Sequence, residues 1–239
     1  MIYKVGILGI TGRMGEQISQ LFSPHYALKE DLFELAEGVS QSRKLSSVEK
    51  APVRSLEETP REPVHVWIDF SNPEATVKLL EQIHTPLVIG TTGFSDYQLN
   101  KIREYATQQP VLLAPNMSPG ICLMTKILES LKTAKTLGFE TVLSESHHRM
   151  KKDSPSGTAK ALAQTLKDSG FSDFPIQVTR AGGEKGLHRV TFYSDEEELT
   201  IEHRVVERSV FAKGALLGAR FLLKTAKPGL YQFKDVEAE

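Results

Sequence analysis

The sequence predicts an α/β protein of two units, a parallel sheet covered by helices and a second α+β unit built on a mixed sheet. Three observations carry this. From Tyr3 to Leu113 short apolar runs alternate with longer amphipathic stretches, the rhythm of strand–helix–strand units whose helices cover a parallel sheet on both faces. After Asn116 that rhythm stops, and three strand-like runs over 176–180, 187–193 and 199–206 follow with no helix between them. Runs of strands imply an antiparallel or mixed sheet and therefore a second architecture.

Each element has its own signal. Residues 3–8, YKVGIL, read as a buried strand, and residues 14–22 as a helix with Met14, Ile18, Leu21 and Phe22 on one face. Residues 33–39 form a second strand. The stretch 40–63 is polar, carries charges of both signs and holds Pro52, Pro60 and Pro63, so loop with at most short elements is expected. Residues 64–70 are a strand. Asn72 then caps a helix with Pro73 in its first position. Residues 86–89 and 111–113 are strand-like, with helical spacing over 95–105 between them. Further on, 121–131 is helical, 140–144 a strand, 158–166 a helix and 210–223 a last helix. No repeat or low-complexity segment is visible.

Composition bounds the function. The 239 residues carry 29 Lys+Arg against 30 Asp+Glu, a formal net charge of −1, with 25% charged and 40% hydrophobic residues. Near-neutral balance argues against a nucleic-acid coat or a polybasic membrane binder. One cysteine excludes an intramolecular disulfide and a Cys-rich zinc site. No apolar run approaches the roughly 18 residues of a membrane span. The first residues hold one Lys and a short apolar stretch broken at Thr11-Gly12, which is not a signal peptide. A cytoplasmic protein is expected.

The first chemical motif is Gly9-Ile10-Thr11-Gly12-Arg13-Met14-Gly15, directly after a strand and opening a helix. Glycines there allow a tight turn and close approach of backbone to a pyrophosphate, whose charge the helix-start N–H groups receive. A ligand-free strand–helix turn is the alternative, and Arg13 either reaches a phosphate or is solvated. The ribose-binding acid of such sites lies about 20 residues further on, where Glu34 and Glu37 stand. Arg43 and Lys44 are placed to accept a 2′-phosphate. Two more turns, Gly90-Thr91-Thr92-Gly93 and Ala114-Pro115-Asn116-Met117, also follow strands and would open on the same crevice.

The sharpest local signal covers residues 145–159. His147, His148, Arg149, Lys151 and Lys152 concentrate positive charge in a balanced chain, and a Ser-Pro-Ser-Gly-Thr turn leads into a helix. Helix-start N–H groups and lysines suit a carboxylate substrate. A histidine moves protons near neutral pH, and a lysine beside other cations is a usable general acid. Competing readings are a solvated basic loop and a packed histidine. A metal is not expected, because neighbouring histidines point apart and no other His/Cys set has ligand spacing.

In these motifs the chain resembles the dihydrodipicolinate (4-hydroxy-tetrahydrodipicolinate) reductase family of lysine and diaminopimelate biosynthesis. The most specific string is E-x-H-H-x-x-K-x-D-x-P-S-G-T-A over 145–159. The G-x-x-G-R-M-G turn, Ile68-Asp69-Phe70-Ser71 with Pro73-Glu74, and Gly90-Thr91-Thr92-Gly93-Phe94 match in order. So do Asn116 with Ser118 and Gly120, Arg180-Ala181-Gly182 and Gly186-Leu187-His188. The resemblance implies a Rossmann-like parallel-sheet cofactor domain, residues 1–118 completed by 208–239. It also implies an inserted α+β mixed-sheet domain, residues 119–207, for substrate binding and oligomerisation as a homotetramer. It implies an NAD(P)H-dependent oxidoreductase acting on a cyclic dicarboxylate. Gly9, Ile10, Thr11, Gly12, Arg13 and Met14 would hold the pyrophosphate, with Gly90, Thr91, Thr92, Ala114, Pro115, Asn116 and Met117 on the nicotinamide side. His147 and Lys151 would be catalytic, and His148, Gly157 and Thr158 would bind substrate carboxylates. The cofactor-specificity position falls near Ser40-Gln41 rather than on Glu37, which with Arg43 and Lys44 tilts the expectation from NADH toward NADPH.

Two rivals are weaker. A nucleotide-sensing regulator would carry a basic DNA-binding module, and none is visible. A thiol-dependent semialdehyde dehydrogenase would need Cys122 as nucleophile, yet Cys122 lies in an apolar helical stretch, where a packed small residue is expected.

Overall fold

A computed structural model describes residues 2–22, 33–40, 47–58, 63–225 and 227–236. The chain divides into two compact units, Met1–Met117 with Phe211–Glu239, and Ser118–Val210.

In the first unit, β1 (Tyr3–Leu8), α1 (Arg13–Gln20) and β2 (Phe33–Val39) are followed by β3 (Ser47–Val48) and β4 (Ala51–Arg54). Then come β5 (Val66–Asp69), α2 (Pro73–Leu80), β6 (Leu87–Ile89), α3 (Asp96–Ala106) and β7 (Pro110–Leu113). Asn72 caps α2 through its side chain, which accepts from the Ala75 N–H, with Pro at the helix start. The sheet order is β12-β7-β6-β5-β1-β2-β4-β3, where β12 is Gly229–Tyr231 near the carboxy terminus. All pairings are parallel except that of β3 with β4. Strand order runs outward from β1 in one direction through β2 and in the other through β5. The switch point of this Rossmann-like sheet therefore lies between β1 and β5, where such sheets bind ligands beyond their carboxyl ends. Val5, Ile7, Ile68, Val88 and Val111 are fully buried, as strands covered on both faces require.

The short elements expected in the polar stretch 40–63 are β3 and β4, and β4 pairs with β2, Gly38 opposite Val53. One strand departs from the sequence reading. β12 is three residues long, too short to show a period, and pairs with β7 at Leu230–Val111.

The second unit comprises α4 (Pro119–Ser130), α5 (Lys132–Thr136), β8 (Glu140–His147), α6 (Gly157–Asp168), β9 (Ile176–Arg180), β10 (Leu187–Tyr193) and β11 (Glu198–Arg204). Helix α7 (Ser209–Thr225) follows. The sheet order is β11-β10-β8-β9. β10 is antiparallel to both neighbours, and β8 and β9 are parallel, joined through α6. Leu143, Val190 and Phe192 form one core with Met124 and Leu128 of α4 and Leu162 and Leu166 of α6. Burial of each such side chain stabilises the unit by about 1.5–3 kcal/mol. The strand predicted over 140–144 continues to His147. Its alternating burial puts Thr141, Leu143, Glu145 and His147 on the packed face.

No helix of the described residues is long and apolar enough to cross a membrane.

Candidate active site

The first unit offers a site made of backbone. Gly9 ends β1 with φ +82, a left-handed conformation that side chains disfavour, and a Cβ there would meet the Phe70 carbonyl oxygen at 2.6 Å. The turn after β1 thus lies against the turn after β5, at the switch point. A Cβ at Gly15 would meet the Gly9 oxygen at 2.2 Å, so helix and turn pack backbone to backbone. Gly12 is the α1 N-cap, and no side chain caps that helix. The first-turn N–H groups at Arg13 and Met14 suit an anion. Gly12 and Arg13 are exposed, and Thr11 and Met14 half-buried. The Ile10 side chain is fully buried, where a Cβ on Gly38 would touch it, so Ile10 serves the core.

Around the other two turns the hydroxyls are already engaged. Thr91 is buried, donates to Asp69 Oδ1 at 3.0 Å and accepts from the Ser71 N–H at 2.9 Å. Asp69 also accepts from the hydroxyls of Ser71 and Thr76, both at 2.5 Å. Burial pushes the Asp69 carboxyl up, against the pull of these hydrogen bonds. Thr91 therefore anchors its turn, while Gly90 is half-buried and Thr92 exposed. Ala114 and Met117 are buried, Asn116 half-buried and Pro115 exposed.

The two acids at ribose-binding spacing lie away from the Gly9 turn or are already paired. Glu37 is completely buried and pairs with Arg54 Nε of β4 at 3.1 Å. Glu34 stands opposite Lys4, at the amino end of the sheet, far along β2 from the Gly9 turn. Ser40, directly after β2, is the residue that meets the turn, its Oγ 2.8 Å from Thr11 Oγ1. Gln41, Arg43 and Lys44 lie outside the described residues.

The second unit offers a site made of titratable side chains. At the end of β8, Glu145 is 1% exposed and His147 8%. Glu145 Oε1 accepts from the Ser156 N–H at 2.9 Å and from Arg180 of β9 at 2.8 Å. Its Oε2 faces His147 Nδ1 at 3.4 Å and His188 Nε2 of β10 at 3.6 Å. The register places His188 directly opposite Glu145, and the two imidazole rings meet edge to face at 5.2 Å. Ser156 caps α6, its hydroxyl accepting from the Ala159 N–H at 3.1 Å. Lys151 Nζ pairs with Asp153 Oδ1 at 2.8 Å. His148 and Thr158 are half-buried and Gly157 exposed, and a Cβ on Gly157 would meet nothing within 4 Å.

Electrostatics follow from this packing. Burial pulls His147 below the usual histidine range, with Glu145 opposing and Lys151 and Arg180 assisting. Burial, with His147 assisting, takes His188 down to about 4, so it is neutral at pH 7. Burial alone would raise Glu145, but the Ser156 and Arg180 hydrogen bonds outweigh it and hold the carboxylate ionised. The ligand-type atoms of Glu145, His147 and His188 lie within 4.8 Å of one another. Arg180 shares the carboxylate charge of this trio, and Lys151 adds a further positive charge beside it.

The sequence reading singles out His147, His148, Lys151, Gly157 and Thr158, and the structure groups His147 with Glu145, Arg180 and His188, which that reading does not join into one cluster. The signal available was the period-two run Thr141, Leu143, Glu145, His147, which puts acid and base on the face of a core leucine. Cys122 is half-buried on α4, and its backbone N–H donates to Ser118 O in the helix ladder.

Comparison with known proteins agrees with these features. Residues 3–117 match the family model for the dihydrodipicolinate reductase N-terminus, and residues 120–236 the model for its C-terminus. The 4-hydroxy-tetrahydrodipicolinate reductase of Bdellovibrio bacteriovorus is 36% identical, over 98% of this chain and 95% of the relative. That of Aquifex aeolicus is 33% identical, over 99% of each. A dipicolinate-bound dihydrodipicolinate reductase from Paenisporosarcina sp. TG-14 shares the fold, with TM-score 0.77 at 22% identity over 99% of this chain and 100% of that one. Together with the glycine turn at the sheet's switch point and the E-x-H-H-x-x-K string at the end of β8, these matches show that the chain belongs to the dihydrodipicolinate reductase family.

Proposed function

We propose that this chain reduces 4-hydroxy-tetrahydrodipicolinate to tetrahydrodipicolinate, using NADPH in preference to NADH, in lysine and diaminopimelate biosynthesis. The observation that carries the reading is the end of β8, where His147, Lys151 and the start of α6 converge within one unit of a chain whose whole length matches the family. In this reading the first unit holds the dinucleotide, its pyrophosphate on the backbone of residues 9–14, and the second holds the substrate. The bound dinucleotide supplies the hydride.

The residues of the second unit supply the rest. His148, Gly157 and Thr158 bind the substrate carboxylates, and the bare Cα of Gly157 lets a carboxylate approach the α6 N–H groups closely. Hydride arriving on a conjugated carbon pushes electrons toward the ring nitrogen. A cationic acid beside that atom stabilises the charge, and Lys151 and His147 are the groups placed to do so. The preference for NADPH is supported by Ser40, which stands after β2 where an NAD-selective site carries an acid. We further propose a homotetramer built across the sheet face opposite α4 and α6, a face on which Tyr193 is 39% exposed. A cytoplasmic setting agrees with the single cysteine.

The test is a coupled assay on purified protein, with the substrate made in situ from pyruvate and aspartate semialdehyde. NADPH oxidation that depends on both precursors is expected, with slower NADH oxidation. Absence of oxidation with either dinucleotide overturns the reading.

A further inference from the structure

We propose that Glu145 is a positioning residue of the reductase site, fixing the proton of neutral His147 on Nδ1 and leaving Nε2 as the atom that exchanges protons with substrate. This rests on the reading of His147 as a catalytic residue and assigns a role to a buried carboxylate which that reading leaves idle.

The two oxygens of Glu145 are used differently. Oε1 is saturated by the Ser156 N–H and the Arg180 guanidinium, at 2.9 and 2.8 Å. Among the described residues neither Oε2 nor His147 Nδ1 makes a well-aligned hydrogen bond. They face each other at 3.4 Å. A buried carboxylate oxygen lacking a donor is costly, and the cost falls when Nδ1 carries a hydrogen. It falls further when the ring becomes cationic, because the contact is then charge-assisted. The same contact orients the ring, since His147 is the last residue of β8 and Glu145 stands two residues before it on the same face.

On the Nε2 side of the ring stands a glycine. Gly186 has φ +147, and a Cβ there would lie 3.3 Å from His147 Nε2. A side chain at that position would be strained and would press on the nitrogen assigned to proton exchange. Through Oε1 the carboxylate also holds the α6 cap residue, so the proton carrier and the carboxylate-binding helix start are tied to one group.

The groups facing His147 are Glu145 on its own strand, His188 on β10, Arg180 on β9, and Lys151 and Asp153 on the loop after β8. His188 is neutral at pH 7. Of the two acids, Glu145 is the buried one.

Two measurements on the full-length protein test the proposal. In the wild type, nitrogen-15 NMR of the histidine side chains is expected to show neutral His147 as the Nδ1–H tautomer. The Nε2–H tautomer overturns the assignment, whether or not the enzyme turns over. In E145Q, kcat is expected to fall roughly 100-fold, with KM for NADPH within about twofold of the wild type. The His147 limb of the pH profile should move to lower pH by about one unit. A wild-type limb position in folded E145Q overturns the proposal, even with kcat reduced. If E145Q does not fold, the tautomer measurement decides alone. Failure of the wild type to oxidise NADPH sinks the reductase reading and leaves the tautomer result standing.

Discussion

Each unit buries a glutamate against an arginine, and the two pairs do different work. In the first, Glu37 and Arg54 are both fully buried, and the guanidinium also donates to the Ser55 and Glu58 carbonyls and to Gln82. Glu37 ties β4 to β2, the Ser55 and Glu58 carbonyls belong to the loop after β4, and Gln82 ties that loop to the end of α2. In the second, Arg180 takes one oxygen of Glu145, and the other oxygen points at two imidazoles. The difference reflects how each site is made. On the proposed reading, a pyrophosphate site built from glycine backbone would need no titratable side chain, and a proton-transfer site would need one.

The largest effects should come from breaking each site in its own way. Lys151→Ala removes a cationic acid and should lower kcat by about 10²–10⁴-fold, with NADPH affinity unchanged by fluorescence titration. Gly12→Asp should do the reverse. Asp is a good N-cap, so α1 should survive, but its charge would stand where the proposed reading puts the pyrophosphate. Affinity for NADPH should fall at least tenfold while the dicarboxylate product still binds. Loss of both ligands in either variant would show that the two sites are not separable as drawn.

Next in size is the architectural pair. Glu37→Gln leaves the Arg54 charge uncompensated in the core and should destabilise the first unit by about 3–5 kcal/mol, read as a lower urea midpoint. The ratio of NADPH to NADH activity should not move. A changed ratio would return Glu37 to the ribose-binding role that its position in the sequence suggests.

That misplacement shows what the sequence makes legible. The parallel sheet is readable because each buried strand is a continuous apolar run followed by an amphipathic helix, and the glycine turn because its neighbours are a strand and a helix. Glu37 and Glu34 were both at plausible spacing, but spacing along a strand does not say which end of the sheet a residue occupies, nor that Arg54 waits on a neighbouring strand. β12 could not be anticipated because it is three residues long and its partner β7 is distant in sequence. The E-x-H-H-x-x-K string was legible as chemistry. Its completion by His188 was not, since that contact depends on the register of β10 against β8, 43 residues beyond Glu145.

The smallest predicted effect is also the most selective. Ser40 follows β2 and contacts Thr11 of the glycine turn, so on the proposed reading position 40 would stand beside the adenosine ribose. A serine there leaves a 2′-phosphate unopposed, whereas an acid would bind the 2′-hydroxyl of NADH and repel the phosphate of NADPH. Ser40→Asp should therefore shift the NADH-to-NADPH ratio of kcat/KM about tenfold toward NADH, a change of about 1.4 kcal/mol. Because Ser40 is nearly buried, folding of the variant must be checked by its thermal transition. If the folded variant keeps the wild-type ratio, selectivity is set elsewhere and the parallel drawn from strand β2 fails. A shift confined to KM for the dinucleotide, with kcat on the dicarboxylate intact, would sharpen the contrast between the two units, since it alters only the one whose chemistry is made of backbone.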